Sequence, residues 1–432
     1  MTATSFPVVV QSLRKTGHGI EHTTLWFTGA MFAVALLLQR IGPLVGSVHL
    51  CIVGPIGLAL AGYGVIQGIL VLHTTRLAVF TALVSWIVLG TGVRAAIPDY
   101  YGTPTSWLSV AQFVGLSAFG VLVFAEPLGE RRFFRLVNKM FLLLAIAGLA
   151  QFLLQFVGLG LFSWTAFVPA DLLNNPFETV IPIGDSGYFK ANGFFLVEPS
   201  VFSQYMALAV LIEMLLFRRP LHLATYAAAL MSSISGTGWL MILGFALTAG
   251  FSLGGRGVRL SLATLVMGGL SIAGLAVLFP SGFDLFLSRT GEFSSVGASG
   301  HLRFVTPWWI GQFVLDRSPW VALYGMGAGV SEHLAMHPIW DFNLNPPVKI
   351  SLEYGIPCFV LYLAFLLTGR RSMTQRALLA PVLILLLFDG GNSQFAPILF
   401  PSMILIMTAD LSAGGAGRGT GDLRTLADPA RS

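Results

Sequence analysis

Charge is what this sequence has least of. Of its 432 residues only 10% are charged, against 55% hydrophobic, and mean hydropathy is +0.80. A soluble domain carries about 25% charged residues, so the shortage excludes a soluble fold and leaves a polytopic membrane protein. Cysteine is nearly absent. Cys51 and Cys358 both lie in apolar segments and read as small buried hydrophobes, which excludes a disulfide framework or a thiolate metal site. The N-terminus lacks the basic, apolar, small-residue pattern of a signal peptide, so the first apolar run is expected to remain as a transmembrane helix. There is no internal repeat, and low complexity is confined to the Gly-rich C-terminal tail. Nothing calls for a nucleic-acid partner or a cofactor.

What is there is a series of apolar runs. A spanning helix needs roughly 20 apolar residues, and twelve segments meet or approach that length: 23–41, 48–70, 76–94, 107–125, 136–158, 194–217, 221–233, 236–252, 259–279, 353–369, 376–389 and 395–411. The expected fold is therefore all-α, an integral membrane protein of about twelve transmembrane helices. Residues 1–22 form a cytoplasmic tail. Nine helices fill 23–279, interrupted by an external loop at 160–193. A large external loop occupies 280–352, three helices follow in 353–411, and 412–432 is a disordered cytoplasmic tail. The seventh and eighth segments are short, separated only by the breaker-rich Ser232–Gly238 turn, and read either as two spans or as one broken helix.

Basic residues orient this scheme, because cytoplasmic loops carry an excess of Lys and Arg. With both termini inside, seventeen of the twenty-four basic residues fall inside. Arg40, Arg94, Lys190, Arg289, Arg303, Arg317 and Lys349 fall outside. Merging the seventh and eighth segments would put the second basic loop on the wrong side, so twelve separate spans are preferred.

The ionisable and aromatic residues concentrate between Pro280 and Tyr354, which holds four tryptophans but no membrane-length apolar run. Chemistry in such a chain belongs in its long loop. Within it, Arg303 follows Ser299-Gly300-His301-Leu302 and precedes Pro307-Trp308-Trp309. A guanidinium makes paired hydrogen bonds to phosphate, or it snorkels to lipid headgroups. His333, His337 and Asp341 are spaced four apart, as ligands on one helix face would be, but Pro338 argues against a continuous helix there. No metal site is expected. His337 reads as a general base or as a structural histidine. The glycine run Gly325-x-Gly327-x-Gly329 lacks the context of a dinucleotide site and reads as a tight turn. In the first external loop, Lys190 leads through Asn192 to Glu198-Pro199-Ser200 at the start of an apolar helix. An ionisable residue there is costly and marks a functional site, unless it merely favours the positive helix N-terminus. Gln151 and Gln155 share a helix face and are expected to bond across a helix interface. Charge gathers at the outer surface instead of the bilayer midplane, which favours surface chemistry on a lipid-linked substrate over ion-coupled transport.

In order along the chain, Lys190-Ala191-Asn192-Gly193-Phe194, Glu198-Pro199-Ser200, Ser299-Gly300 with Arg303 and Trp308, Pro319, the spaced glycines, Asn345 and Glu353-Tyr354-Gly355 resemble the O-antigen ligase and polysaccharide polymerase superfamily, over roughly residues 180–370. The resemblance implies a metal-independent, inverting membrane glycosyltransferase. Such an enzyme moves a glycan from an undecaprenyl-diphosphate carrier outside the bacterial inner membrane, alongside membrane lipids and chain-length or export proteins. It implies that Lys190 and Arg303 hold the diphosphate; the chemistry of the transfer itself adds Arg289 to that clamp and offers Glu198 or His337 as the base. Trp308 and Asn345 would contact sugar or acceptor. Family ligases carry a histidine directly before the matching asparagine, where this chain has Leu344. That departure favours polymerisation of lipid-linked repeat units over ligation. A lipid or polysaccharide transporter is the alternative from another class.

Overall fold

The computed structural model describes residues 17–42, 44–45, 48–49, 52–96, 105–125, 129–160, 162–173, 181–183, 186–278, 291, 294–296, 298–330, 344–369 and 371–388. About three quarters of them are helical. In chain order the helices are α1 (Gly17–Leu37), α2 (Val53–Ile66), α3 (Thr74–Ala96), α4 (Trp107–Ala118), α5 (Glu130–Leu154), α6 (Pro199–Ile212), α7 (Pro220–Ser232), α8 (Gly236–Leu253) and α9 (Gly255–Leu278). Four short helices follow: α10 (Ser299–Phe304), α11 (Thr306–Arg317), α12 (Trp320–Tyr324) and α13 (Pro346–Tyr354). The described chain closes with α14 (Ile356–Leu367) and α15 (Met373–Phe388). Two small antiparallel ladders complete it, Leu44–Val45 with Val48–His49 and Leu70–Leu72 with Leu122–Phe124.

Local sequence explains where the helices start and stop. Proline stands in the first turn of α6, α7, α11, α13 and α14, where its missing N–H costs nothing. Gly355, at φ +87°, ends α13 and begins α14 in one residue. The break between α7 and α8 is sharp: Ser233-Ile234-Ser235 separates two distinct helices, both packed against α6.

Among the described residues, five helical stretches are long and apolar enough to cross a membrane: Thr74–Ala96, Glu130–Val157, Pro199–Phe217, Gly236–Leu253 and Gly255–Gly274. Shorter apolar helices occupy five more of the segments picked out by hydropathy. The outer surface is greasy. Phe251 is 93% exposed, Val277 79% and Leu270 67%, an exterior suited to lipid and not to water. The last segment, 395–411, lies outside the described residues.

The core is organised around α6, all fourteen of whose residues are buried. Close packing here depends on glycine. The Phe202 ring of α6 fills space left by Gly148 on α5 and by Gly193 just before α6, so a Cβ at either would collide with it. Gly238 on α8 lies against the Ser203 backbone in the same way.

Helix ends meet in two groups. In one, Arg131 at the start of α5 donates to the Leu216 carbonyl beyond α6 (3.2 Å), and Arg256 donates to the Leu215 carbonyl (3.2 Å). There also Ser372, just before α15, donates to the Glu130 carboxylate (2.6 Å), while Arg76 reaches the Thr368 carbonyl at the end of α14 (3.2 Å). In the other group, Arg94 near the end of α3 donates to the Met326 carbonyl (2.8 Å).

The described part of the stretch read as one long loop is helical and has its own core. Ile310, Val314, Val321, Met326, Val330, Leu344, Val348 and Leu352 form a separate buried cluster. Its apolar residues are spaced too sparsely to register as spans, yet short helices gather them on one side.

A Gly148→Leu substitution should lower thermal stability in detergent by about 1–3 kcal/mol through overpacking against Phe202. Gly62→Leu, where a side chain would meet open space, should leave the melting temperature unchanged or raise it.

Candidate functional site

The site sits where the Tyr188–Ser200 segment, the end of α5 and the start of α8 converge on the N-terminal end of α6. Two glutamines build it. Gln155 accepts from the Phe189 N–H (2.7 Å) and donates to the Phe189 carbonyl (3.1 Å). Gln151 accepts from the Asn192 N–H (3.1 Å) and donates to the Phe162 carbonyl (3.0 Å). The expectation that these side chains join two helices is therefore corrected. They hold loop backbone, because α5 ends at that level and the loop, unlike a helix, has unpaired N–H and C=O groups to offer.

The loop is pinned from the far side as well. The Ala191 N–H donates to the Ser232 carbonyl (3.0 Å), and the Lys190 N–H to the Ile181 carbonyl (2.9 Å). The other end of the same serine-rich turn reaches α6. Thr237 and Ser203 share a hydroxyl contact (2.9 Å), the Ser200 carbonyl accepts from Ser203 (2.7 Å) and from Thr237 (3.2 Å), and Gly238 N–H donates to Ser203 (3.1 Å). One short turn thus links the backbone beside Lys190 to the first turn of α6.

Both strands of this junction carry left-handed backbone at residues that disfavour it. Phe194 has φ +67° and Ile234 φ +42°. For a branched residue such as Ile234 this is a strained conformation, of the kind that clusters at functional sites. Phe194 is held there by stacking on Phe162 at 5.4 Å, while its N–H donates to the Asn192 side chain (3.1 Å).

Lys190 is buried at 3% exposure. Glu198 is half-buried and occupies the residue before α6, with extended backbone (φ −151°, ψ 162°) and Pro199 following it. Its carboxylate makes no capping hydrogen bond to the first turn, so the capping role does not consume it. Ser200 and Gln204, one turn apart, are buried with Oγ and Oε1 unpartnered, and so is Nδ2 of Asn192. Polar atoms left unmatched in a buried place are what a hydroxyl-rich ligand would satisfy.

The remaining expected residues belong to the α10–α13 unit. Arg303 stands on α10, and its side chain lies outside the described part. Arg289 and His337 fall outside the described residues, as do His333 and Asp341. Trp308 is 55% exposed on α11. Asn345 is buried and caps α13, its Oδ1 accepting from the Val348 N–H at 3.1 Å, a structural task that the sequence reading did not foresee.

The glycine run is a buried turn. Met326 and Gly327 N–H groups donate to the Leu352 and Glu353 carbonyls (2.6 and 3.2 Å), and the Ser106 N–H donates to Ala328. A Cβ at Gly325 or Gly355 would strike the opposite backbone. The spaced glycines and Glu353-Tyr354-Gly355 are therefore two halves of one close backbone crossing, with no room for a nucleotide.

His301, two residues before Arg303, is buried, and its Nδ1 pairs with the Thr306 hydroxyl at 2.9 Å while Trp309 meets the ring edge-on at 5.1 Å. At the far end of α6, Glu213 is fully buried and bonded to Arg219 (2.7 and 2.8 Å), the Arg219 N–H (2.9 Å) and Asn138 (2.7 Å). The hydrogen bond to Glu213 raises the Arg219 guanidinium above its ordinary value. Among the described residues no cluster of three or more metal-ligating side chains occurs.

Compared with known proteins, the chain matches no protein-family model, no curated protein and no solved structure.

Replacing Gln155 with Leu should leave the Phe189 N–H and C=O without partners, weakening the loop by about 1–3 kcal/mol. Hydrogen exchange should show faster exchange at Phe189 through Asn192 with the α5 amides unchanged.

Proposed function

We propose that this chain is a membrane glycosyltransferase of the O-antigen ligase and polysaccharide polymerase type. It polymerises undecaprenyl-diphosphate-linked repeat units into an exported polysaccharide, from a bacterial inner membrane that it crosses about twelve times with both termini in the cytoplasm. The observation that carries this reading is the junction at the start of α6. There a buried lysine, a carboxylate not used for capping and several unmatched polar side chains stand beside apolar helices. The alternation of helix ends supports the same topology. The end that gathers Arg76, Arg131 and Arg256 is the one assigned to the cytoplasm by the basic-residue count.

Glycosyl transfer needs two things from such a site. The acceptor hydroxyl must lose its proton as it attacks the anomeric carbon, and a general base is worth about 10²–10⁴-fold in rate. Glu198 fills that role, with His337 the alternative. The leaving diphosphate must have its developing charge stabilised, often the larger contribution. Lys190, Arg303 and Arg289 supply it. The apolar helix faces admit the isoprenoid tail, and Trp308 offers an exposed ring for a sugar.

Arg303→Ala should abolish polymer by about 10²-fold or more, with insertion and abundance unchanged. Polysaccharide of ordinary chain length from that variant would reject the proposal. A strain that accumulates long polymer never joined to its anchor would identify a ligase, and movement of substrate across vesicles without glycosyl transfer a transporter.

A further inference from the structure

Arginines packed into this bundle find oxygen. Arg76 donates to the Thr368 carbonyl, Arg94 to Met326, Arg371 to Leu366 and Leu367, and Arg219 to Glu213. Arg40, just beyond α1, breaks the pattern. It is buried at 3% exposure, yet its Nε and Nη1 have no hydrogen-bond partner, and among the described residues no carboxylate acts on it.

A guanidinium does not escape this by giving up its proton, since it stays charged at neutral pH. Burying a charged group without a hydrogen-bonding partner is costly. The backbone just after it is tied to other segments. The Gly42 N–H donates to the Leu172 carbonyl at 2.9 Å, Ile41 and Leu173 form an antiparallel bridge, and the Ile52 N–H donates to the Ile41 carbonyl at 3.1 Å. The neighbouring Gln39 shares the deficit. Its Nε2 donates to Leu36 (3.0 Å), but its buried Oε1 accepts nothing. Two consecutive residues therefore show both an unmatched cationic donor and an unmatched acceptor.

We propose that Arg40 is the cation of a phosphate-binding site near the point where the chain beyond α1 pairs with the Leu172–Leu173 segment. The planar fork of a guanidinium matches phosphate oxygens, and Gln39 would accept from a hydroxyl beside that phosphate. The ligand is a phosphate ester bearing a free hydroxyl. The phosphate comes either from the headgroup of a membrane phospholipid such as phosphatidylglycerol, or from a soluble phosphate. The site is independent of the glycosyl-transfer reading, and its failure would leave that reading standing.

The test compares wild type, Arg40→Met and Arg40→Lys as delipidated full-length protein in nonionic detergent, by thermal unfolding and titration. The probes are glycerol 3-phosphate and phosphatidylglycerol, with phosphatidylcholine as control. Wild type should be stabilised by one of the two anionic probes. Stabilisation by glycerol 3-phosphate identifies a soluble ligand, and stabilisation by phosphatidylglycerol alone identifies the headgroup. Arg40→Met should bind about tenfold or more weakly, with Arg40→Lys between the two. Without probe, Arg40→Met should melt at or above the wild-type temperature, because it removes an uncompensated charge. Three results would overturn the proposal: equal responses from wild type and Arg40→Met, no response of wild type to either anionic probe, or a lower melting temperature of Arg40→Met in the absence of probe.

Discussion

A helix enclosed on all sides by apolar neighbours has only its ends in which to settle polar groups, and that constraint on α6 governs the molecule. Every backbone group in a water-free interior must be paired within the protein, and the terminal turns of a helix always leave some groups unpaired. At one end of α6 the solution is electrostatic. A π-turn carries Glu213 into a network with Arg219 and Asn138, closed by Tyr226 donating to the Asn138 carbonyl at 2.8 Å. At the other end the solution is a lattice of hydroxyls and glutamines, with Ser203, Thr237, Gln151 and Gln155 tying together three separate pieces of chain. One end is closed by a satisfied ion pair. The other leaves polar atoms of Ser200, Gln204 and Asn192 unmatched.

The α10–α13 unit meets the same requirement with fewer resources. Its helices are too short to hold themselves and survive by sharing a small apolar core. Aromatic contacts lock it to α3 and α4. Trp86 stacks on Tyr324 at 5.9 Å and donates to the Tyr354 carbonyl at 3.2 Å, and Phe113 stacks on Tyr354 at 5.4 Å. The glycine-lined crossing between α12 and α13 lets backbone meet backbone where any side chain would intrude. The spaced glycines, read from sequence as a tight turn, also serve as a packing device, and Asn345 caps a helix.

Some of this was legible from the chain. The helical class follows from composition, and the starts of α6 and α7 are announced by Glu198-Pro199 and Arg219-Pro220. The break between α7 and α8 is announced by its cluster of serines and glycines. Gln151 and Gln155 drew notice as polar residues one turn apart in an apolar helix, but their partners are thirty-four and forty-one residues away, and no local signal names them. Arg40 carried no signal at all. In sequence it is one of several external arginines, and only burial without a partner distinguishes it from Arg94, which finds a carbonyl.

Hydrophobic excess and the spacing of breakers determined that this chain is a bundle of apolar helices, because those properties act locally and sum along the chain. Which polar side chains are satisfied and which are left unmatched was decided by tertiary structure alone. A hydrogen bond depends on where two atoms finally stand, and loops such as Tyr188–Ser200 bring together groups whose separation along the chain says nothing of their distance in space.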